Sequence, residues 1–230
     1  MTEFRYYSLD EVEQASGIVV VIDVLRAFTT AAYAFSSGAA KIMPVKSVEE
    51  AFKLQKQVPN SLIMGEVDGF QPPGFNYGNS PAEIKNANIQ GKTIIQRTSA
   101  GTQGIINCKQ ADQILAASFV VARATANYLR TQDNQIVTFL ITGESQGRDG
   151  DEDRACGEYI EALIRGEYAD PYIFTQRVWK STVGQSFMGG KNKYLRLDDI
   201  NLSVSTDLFP FYLPIKKGQS TLVMTAELFS

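Results

Sequence analysis

Apolar residues along this chain fall into two rhythms that alternate. Ile18 to Ile22 is an unbroken β-branched run, the pattern of a strand covered on both faces in an α/β sheet. The residues after it carry Ala, Phe and Tyr at helical spacing until Gly38, which reads as a C-cap. The alternation then repeats. Lys41 to Val45 reads as a strand and is followed by a helix with Ser47 as its N-cap. Ser61 to Glu66 reads as a strand that ends on an acid, and a Gly/Pro-rich loop runs from Asp68 to Pro81. Ser80-Pro81 reads as an N-cap with proline at the first helical position. A strand over Lys92 to Gln96 passes through the turn RTSAGT, Arg97 to Thr102, into another helix. The short strand QILAA precedes a helix capped by Ser118. A strand over Ile136 to Thr142 leads through a polar loop to a helix that Gly166 closes.

From Asp170 onward the periodicity fades until LFPFYLPI (208–215) and TLVM (221–224), which read as strands. The pattern predicts an α/β fold with an irregular carboxyl-terminal part. It is read as one domain over residues 1–230, and any division into two closely packed lobes would fall near residues 130–170.

Composition narrows the chemistry. With 22 basic and 25 acidic residues the formal net charge is −3, and no basic block suggests a nucleic-acid surface. The segment MTEFRYYSLDEVEQ is too polar for a secretory signal, and no apolar run approaches the roughly 20 residues of a membrane span. The expectation is a cytoplasmic protein with no nucleic-acid or membrane partner; a homodimer is compatible with it. Cys108 and Cys156 form no CxxC pair and read as reduced, partly buried thiols. Histidine is absent, which excludes a Ser-His-Asp triad, a phosphohistidine and His-ligated zinc. A bound metal would meet oxygen ligands, which favour Mg²⁺.

Three strand-to-helix junctions carry reactive groups: Asp23 to Arg26, Arg97 to Thr102, and Asp149 to Asp153. Such junctions are where open α/β sheets place ligands. In RTSAGT, free amides and the hydroxyls of Thr98, Ser99 and Thr102 could donate to a phosphate, or the same residues could cap a helix locally. Arg26 and Arg97 have the forked geometry that grips phosphate oxygens. Asp23 could ligate a metal, attack phosphorus, or simply cap the next helix. Glu66 ends a second strand, so the two acids could share a hard cation, and Glu152 and Asp153 could add carboxylates or merely face a helix dipole. Asp68, Glu144, Asp149 and Asp151 read as solvated loop acids, and Phe75 and Tyr77 as loop packing.

Taken in order, these motifs resemble the 2-phosphosulfolactate phosphatases. The matching stretches are VVIDVLRAFTT, Gly65-Glu66, PGFNYGNSP, RTSAGT, Ser118-Phe119, EDRACGEYI and SVSTDLFPFYLP, which cover nearly the whole chain. The resemblance implies a three-layer α/β/α fold with a mixed or mainly parallel sheet, and a Mg²⁺-dependent phosphatase acting on a small phosphorylated hydroxy acid, converting 2-phosphosulfolactate to sulfolactate and phosphate. It implies catalytic roles for Asp23, Arg26 and Glu66. Asn79, Ser80, Arg97, Thr98, Ser99, Gly101 and Thr102 would join Arg26 around the phosphate. Asp23, Glu66, Glu152 and Asp153 would hold the metal. The chain departs from the family's usual residues at Val67, Asn76, Ala100 and Val121. These departures support a rival reading, a non-catalytic anion- or metabolite-binding protein that retains the phosphate cradle.

Overall fold

A computed structural model describes residues 2–132, 135–145, 147–189, 192–218 and 221–229. Its strands are β1 (Glu3–Ser8), β2 (Ser16–Ile22), β3 (Lys41–Pro44), β4 (Ser61–Gly65), β5 (Thr93–Arg97), β6 (Gln110–Ala117), β7 (Ile136–Ile141), β8 (Phe211–Lys217), β9 (Leu222–Met224) and β10 (Glu227–Leu228). The helices are α1 (Ala27–Ser36), α2 (Val48–Gln57), α3 (Pro81–Ile84), α4 (Gly101–Asn107), α5 (Ala122–Arg130), α6 (Asp151–Arg165), α7 (Pro171–Lys180), α8 (Thr182–Met188) and α9 (Leu197–Ser203).

The β-branched run forms the centre of the sheet. β2 pairs in parallel with β7 on one side and β6 on the other, so Val20 sits opposite both Phe139 and Leu115. Its side chains divide strictly by parity. Val19 and Val21 pack with Ala27, Phe28 and Ala31 of α1 and Ile105 of α4. Ile18, Val20 and Ile22 pack with Ala126 and Leu129 of α5 and Tyr159 and Ile160 of α6. The strand is covered on both faces, as its continuous apolar run predicts, in the three-layer α/β/α arrangement that the resemblance implies. The sheet runs in the order β1-β7-β2-β6-β8-β9-β3-β5-β4, with β10 on β8.

Two all-parallel groups, β1-β7-β2-β6 and β3-β5-β4, are thus joined through the antiparallel tail strands β8 and β9. The pairing of β9 with β3 is a single position, Ile42 with Met224. The polar opening segment, taken only as evidence against a signal sequence, forms the edge strand β1. The stretch from Asp170 is also more regular than its sequence suggests. Asp170, Ser181 and a proline at the first position start α7 and α8 with side-chain caps, so short helices form without a long apolar stripe. Ser47 and Ser80 cap α2 and α3 as expected. Ser118 does not cap: its hydroxyl is buried without a partner, and a 3-10 turn over Phe119–Val121 precedes α5. Both cysteines are free and buried.

Gly65, the last residue of β4, has φ 144°, and a Cβ there would lie 1.8 Å from the Arg97 carbonyl oxygen. Only glycine lets β4 and β5 end this close together. Gly65→Ala is expected to cost on the order of 3 kcal/mol or more, read as a fall in the urea midpoint. An unchanged midpoint would mean the strand ends are not fixed by this contact.

Candidate active site

The carboxyl ends of β2, β4 and β5 meet around a cavity of about 520 Å³, with Asp23, Arg26, Glu66, Asn79, Arg97 and Ser99 in its wall. Arg148, on the loop after β7, enters from another side, and Phe187 and Leu195 cover it from α8 and the segment before α9. A larger groove of about 840 Å³ runs along β6 and β8, but its charged residues are surface groups such as Lys109, Asp112 and Lys216. Buried charge is found at the first cavity.

Asp23 follows β2 directly. Its Oδ1 accepts from the Ala27 amide at 2.8 Å, so the helix-capping role exists, and the same side chain lines the cavity. The first residue of α4 presses against it: a Cβ on Gly101 would lie 2.7 Å from Asp23 Oδ2. Burial, and then the charge of Glu66, push the Asp23 carboxyl up to about 6, against the lowering pull of the Ala27 amide and Arg148.

Glu66 occupies the anion cradle that the sequence offers to an outside phosphate. Its Oε1 accepts from the Ser99 amide at 2.6 Å, and its Oε2 accepts from the Gly69 amide at 2.6 Å and the Ser99 hydroxyl at 3.2 Å. Thr98 and Thr102 turn inward. The Thr98 amide donates to Thr102 Oγ1 at 2.8 Å and the Thr102 amide to Thr98 Oγ1 at 3.0 Å, a reciprocal cap with both side chains buried. Of this turn, Arg97, Ser99 and Ala100 face the cavity. Arg97 donates from Nη1 to the Glu66 carbonyl at 2.7 Å, and its buried Nε has no partner.

Arg26, which follows a cis peptide bond from Leu25, is 4% exposed. Its Nη1 donates to Asp199 Oδ2 at 2.7 Å and to the Tyr194 carbonyl at 2.6 Å, and its guanidinium lies 5.2 Å from the centre of the Phe187 ring. Asp199 is fully buried and also accepts from Ser80 Oγ at 2.6 Å and the Ala82 amide at 3.1 Å. Ser80 therefore faces this carboxylate and a side recess of about 50 Å³, while its neighbour Asn79 lines the main cavity and keeps a buried Oδ1 without a partner.

Glu152 and Asp153 lie behind the cavity wall at the start of α6. Asp153 Oδ1 accepts from the Val24 amide at 2.7 Å and Oδ2 from the Gly143 amide at 2.8 Å, tying the ends of β2 and β7 together. Burial, followed by the charges of Glu152 and Asp23, raises its carboxyl well above the usual range. Glu152 is raised mainly by burial and also by Asp23, and its Oε2 is buried without a partner. Among the described residues no three acidic or thiol side chains converge as a ready-made metal cage. Glu66 and Asp153 have both oxygens engaged by amides. Asp23, open to the cavity, and the orphaned Glu152 oxygen remain as donors, and both are hard oxygen ligands of the kind Mg²⁺ takes.

The structure thus gathers Asp23, Arg26, Glu66, Asn79, Arg97 and Ser99, and sets Ser80, Thr98, Gly101, Thr102, Glu152 and Asp153 in the layer behind. Val67 and Ala100 line the cavity, Val121 belongs to the core, and Asn76 accepts the Ile63 amide at 2.8 Å. Phe75 packs on Phe52, as loop packing predicts. Three of the supposed solvated acids are engaged instead: Asp151 pairs with Arg177, Glu144 pairs with Arg154 at 2.8 Å, and Asp149 accepts from the Thr182 hydroxyl at 2.8 Å. Sequence reasoning passed over Asp199, Arg148 and Phe187. Asp199 sits in LRLDDINLS, where two adjacent acids at a helix start look like solvated first-turn residues. Arg148 sits among acids in an irregular loop, and no spacing distinguishes it.

A family model described as 2-phosphosulpholactate phosphatase matches residues 6–211. A Thermotoga maritima protein named "Probable 2-phosphosulfolactate phosphatase" is 39% identical over 163 residues, 70% of this chain and 69% of the relative. A Bacillus subtilis protein of the same name is 32% identical over 185 residues, 80% of each chain. One from Carboxydothermus hydrogenoformans is 41% identical over 146 residues, 64% of this chain and 60% of the relative.

The raised Asp23 carboxyl has a consequence for stability. The folded state keeps a proton that the unfolded chain releases between about pH 4 and 6, so stability falls as pH rises through that window. In EDTA, Asp23→Asn should remove this loss and leave the variant roughly 2–3 kcal/mol more stable than the native chain at pH 7, with little difference at pH 3.5. Asparagine retains an oxygen for the Ala27 amide, so the cap survives. A variant less stable than the native chain at pH 7 would show that the charge is stabilising there.

Proposed function

The chain belongs to the 2-phosphosulpholactate phosphatase family, and it is a phosphoric monoester hydrolase; from that premise we propose that this cavity hydrolyses 2-phosphosulfolactate to sulfolactate and phosphate with the help of Mg²⁺. The observation that carries the reading is that Asp23 shares a 520 Å³ cavity with Arg26, Arg97 and Arg148, beside the acids Asp10, Glu66 and Asp68. A phosphate monoester with further acid groups carries several negative charges, and forked cations in a desolvated pocket bind such charge strongly.

In this reading the three arginines, with Asn79 and Ser99, grip the phosphoryl and acid oxygens and stabilise the charge that spreads over the equatorial oxygens during transfer. Asp23 works at phosphorus. Its carboxyl, poised near pH 6, suits either direct attack to form an aspartyl-phosphate or deprotonation of the attacking water. Glu66 orients the Ser99 turn and holds Asp23 up by its charge. Asp23 and Glu152 would hold Mg²⁺, which supplies charge neutralisation at the phosphoryl group when bound. Glu152 is raised by burial and by the charge of Asp23, and such a buried carboxylate calls for a counter-ion.

Phosphate release from 2-phosphosulfolactate, with Mg²⁺ and after exhaustive EDTA treatment, tests the reading. Release should require the metal, and Asp23→Asn should lower turnover by at least roughly a hundredfold, about 2.7 kcal/mol of barrier, in a folded protein. Undiminished release in EDTA would remove the metal, and binding of the phosphorylated acid without release would turn the reading toward the non-catalytic binding protein. A borohydride-reducible acyl-phosphate on Asp23 would select direct attack.

A further inference from the structure

We propose that Asp199 is a positioning residue of this site, holding Arg26 and the Asn79 turn in the orientation that receives the phosphoryl group; the proposal rests on the phosphatase reading of the cavity. Asp199 lies on α9, about 170 residues along the chain from Arg26, and does not itself line the cavity. Its side chain is fully buried and both of its oxygens are used. Oδ2 takes Arg26 Nη1 at 2.7 Å, while Oδ1 takes Ser80 Oγ at 2.6 Å and the Ala82 amide at 3.1 Å.

Each contact has a reason that local packing alone does not supply. A guanidinium that is 4% exposed needs a counter-charge, and Asp199 is the acidic side chain paired with it among the described residues. The Tyr194 carbonyl and the face of the Phe187 ring complete the clamp on that side. With Nη1 committed, the remaining guanidinium donors are those available to the cavity that Arg26 lines. The second oxygen acts on another element: Ser80 and Ala82 flank the start of α3, and Asn79 immediately before them lines the same cavity. One buried carboxylate therefore sets two groups of the cavity wall relative to each other. Held donors cost less reorganisation when charge develops on phosphorus, and a displacement of about 1 Å at such a group can cost a hundredfold in rate.

The test uses the full chain with Asp199→Asn, Arg26→Ala and both together. Arg26 in the native protein should resist phenylglyoxal, read by mass spectrometry of the peptide that carries it. In Asp199→Asn it should react at least about tenfold faster, since an unpaired buried charge seeks water. This readout needs no turnover, so it separates failure of the positioning role from failure of the phosphatase reading; a native protein that releases no phosphate speaks against the latter alone. In phosphate-release kinetics, Asp199→Asn should lower kcat/KM roughly a hundredfold, and it should cost much less in the Arg26→Ala background, where only the arm to Ser80 and Ala82 is left to weaken. Unchanged Arg26 reactivity, or fully additive losses, would overturn the proposal. Should Asp199→Asn fail to fold, Ser80→Ala keeps the ion pair and tests the other arm. It should raise the inhibition constant for orthophosphate while Arg26 stays unreactive; native inhibition would overturn the link to the Asn79 turn.

Discussion

The structure depends on placing charge at the buried ends of strands. β2 is covered on both faces, so whatever follows Ile22 enters a dry environment. An acid there must be neutralised, paired or hydrogen-bonded, because an isolated buried carboxylate costs several kcal/mol. Asp153 meets the requirement with two backbone amides, Glu66 with the amides of Ser99 and Gly69, and Asp199 with Arg26. Asp23 meets it through the Ala27 amide, and burial raises its carboxyl as it raises those of Asp153 and Glu152. Three buried acids with raised carboxyls, Asp23, Glu152 and Asp153, thus cluster at and behind the cavity wall, as expected where stability is given up for chemistry.

That constraint explains why the site straddles two groups of strands. A single parallel sheet would offer a crevice beside one switch point. Here β8 and β9, from the carboxyl-terminal tail, join two parallel groups, and the ends of β2, β4 and β5 share a cavity. The tail does more than complete the sheet. α9 brings Asp199 to Arg26, and α8 brings Phe187 over the same guanidinium. The segment with the least regular sequence therefore supplies the partners that let a charged residue be buried next to the strand ends.

The central fold was legible because its signals are local. The β-branched run of β2, the serine caps at Ser47 and Ser80, and the glycine at 166 each state their structure within a few residues. Asp23, Arg26, Glu66 and Arg97 were legible for the same reason, as charges at predicted junctions. What stayed hidden depends on distant partners. That Glu66 would take the Ser99 amide follows from the pairing of β4 with β5, which no spacing within either strand encodes. Asp199 became a site residue only through contacts 173 and 119 positions away, with Arg26 and Ser80. The hydroxyls of Thr98 and Thr102 show the converse: residues suited to binding phosphate are satisfied by their own helix start.

Where a phosphoryl group binds decides what this cavity does. A crystal structure determined with orthovanadate, which mimics the pentacoordinate phosphorus of transfer, measures this directly. The account predicts vanadium within bonding or one-water distance of Asp23, with its oxygens on Arg26, Arg97 or Arg148 and Asn79. Vanadate seated in the groove along β6 and β8, or in the Asp23 cavity but out of reach of both that carboxylate and the arginines, would contradict it.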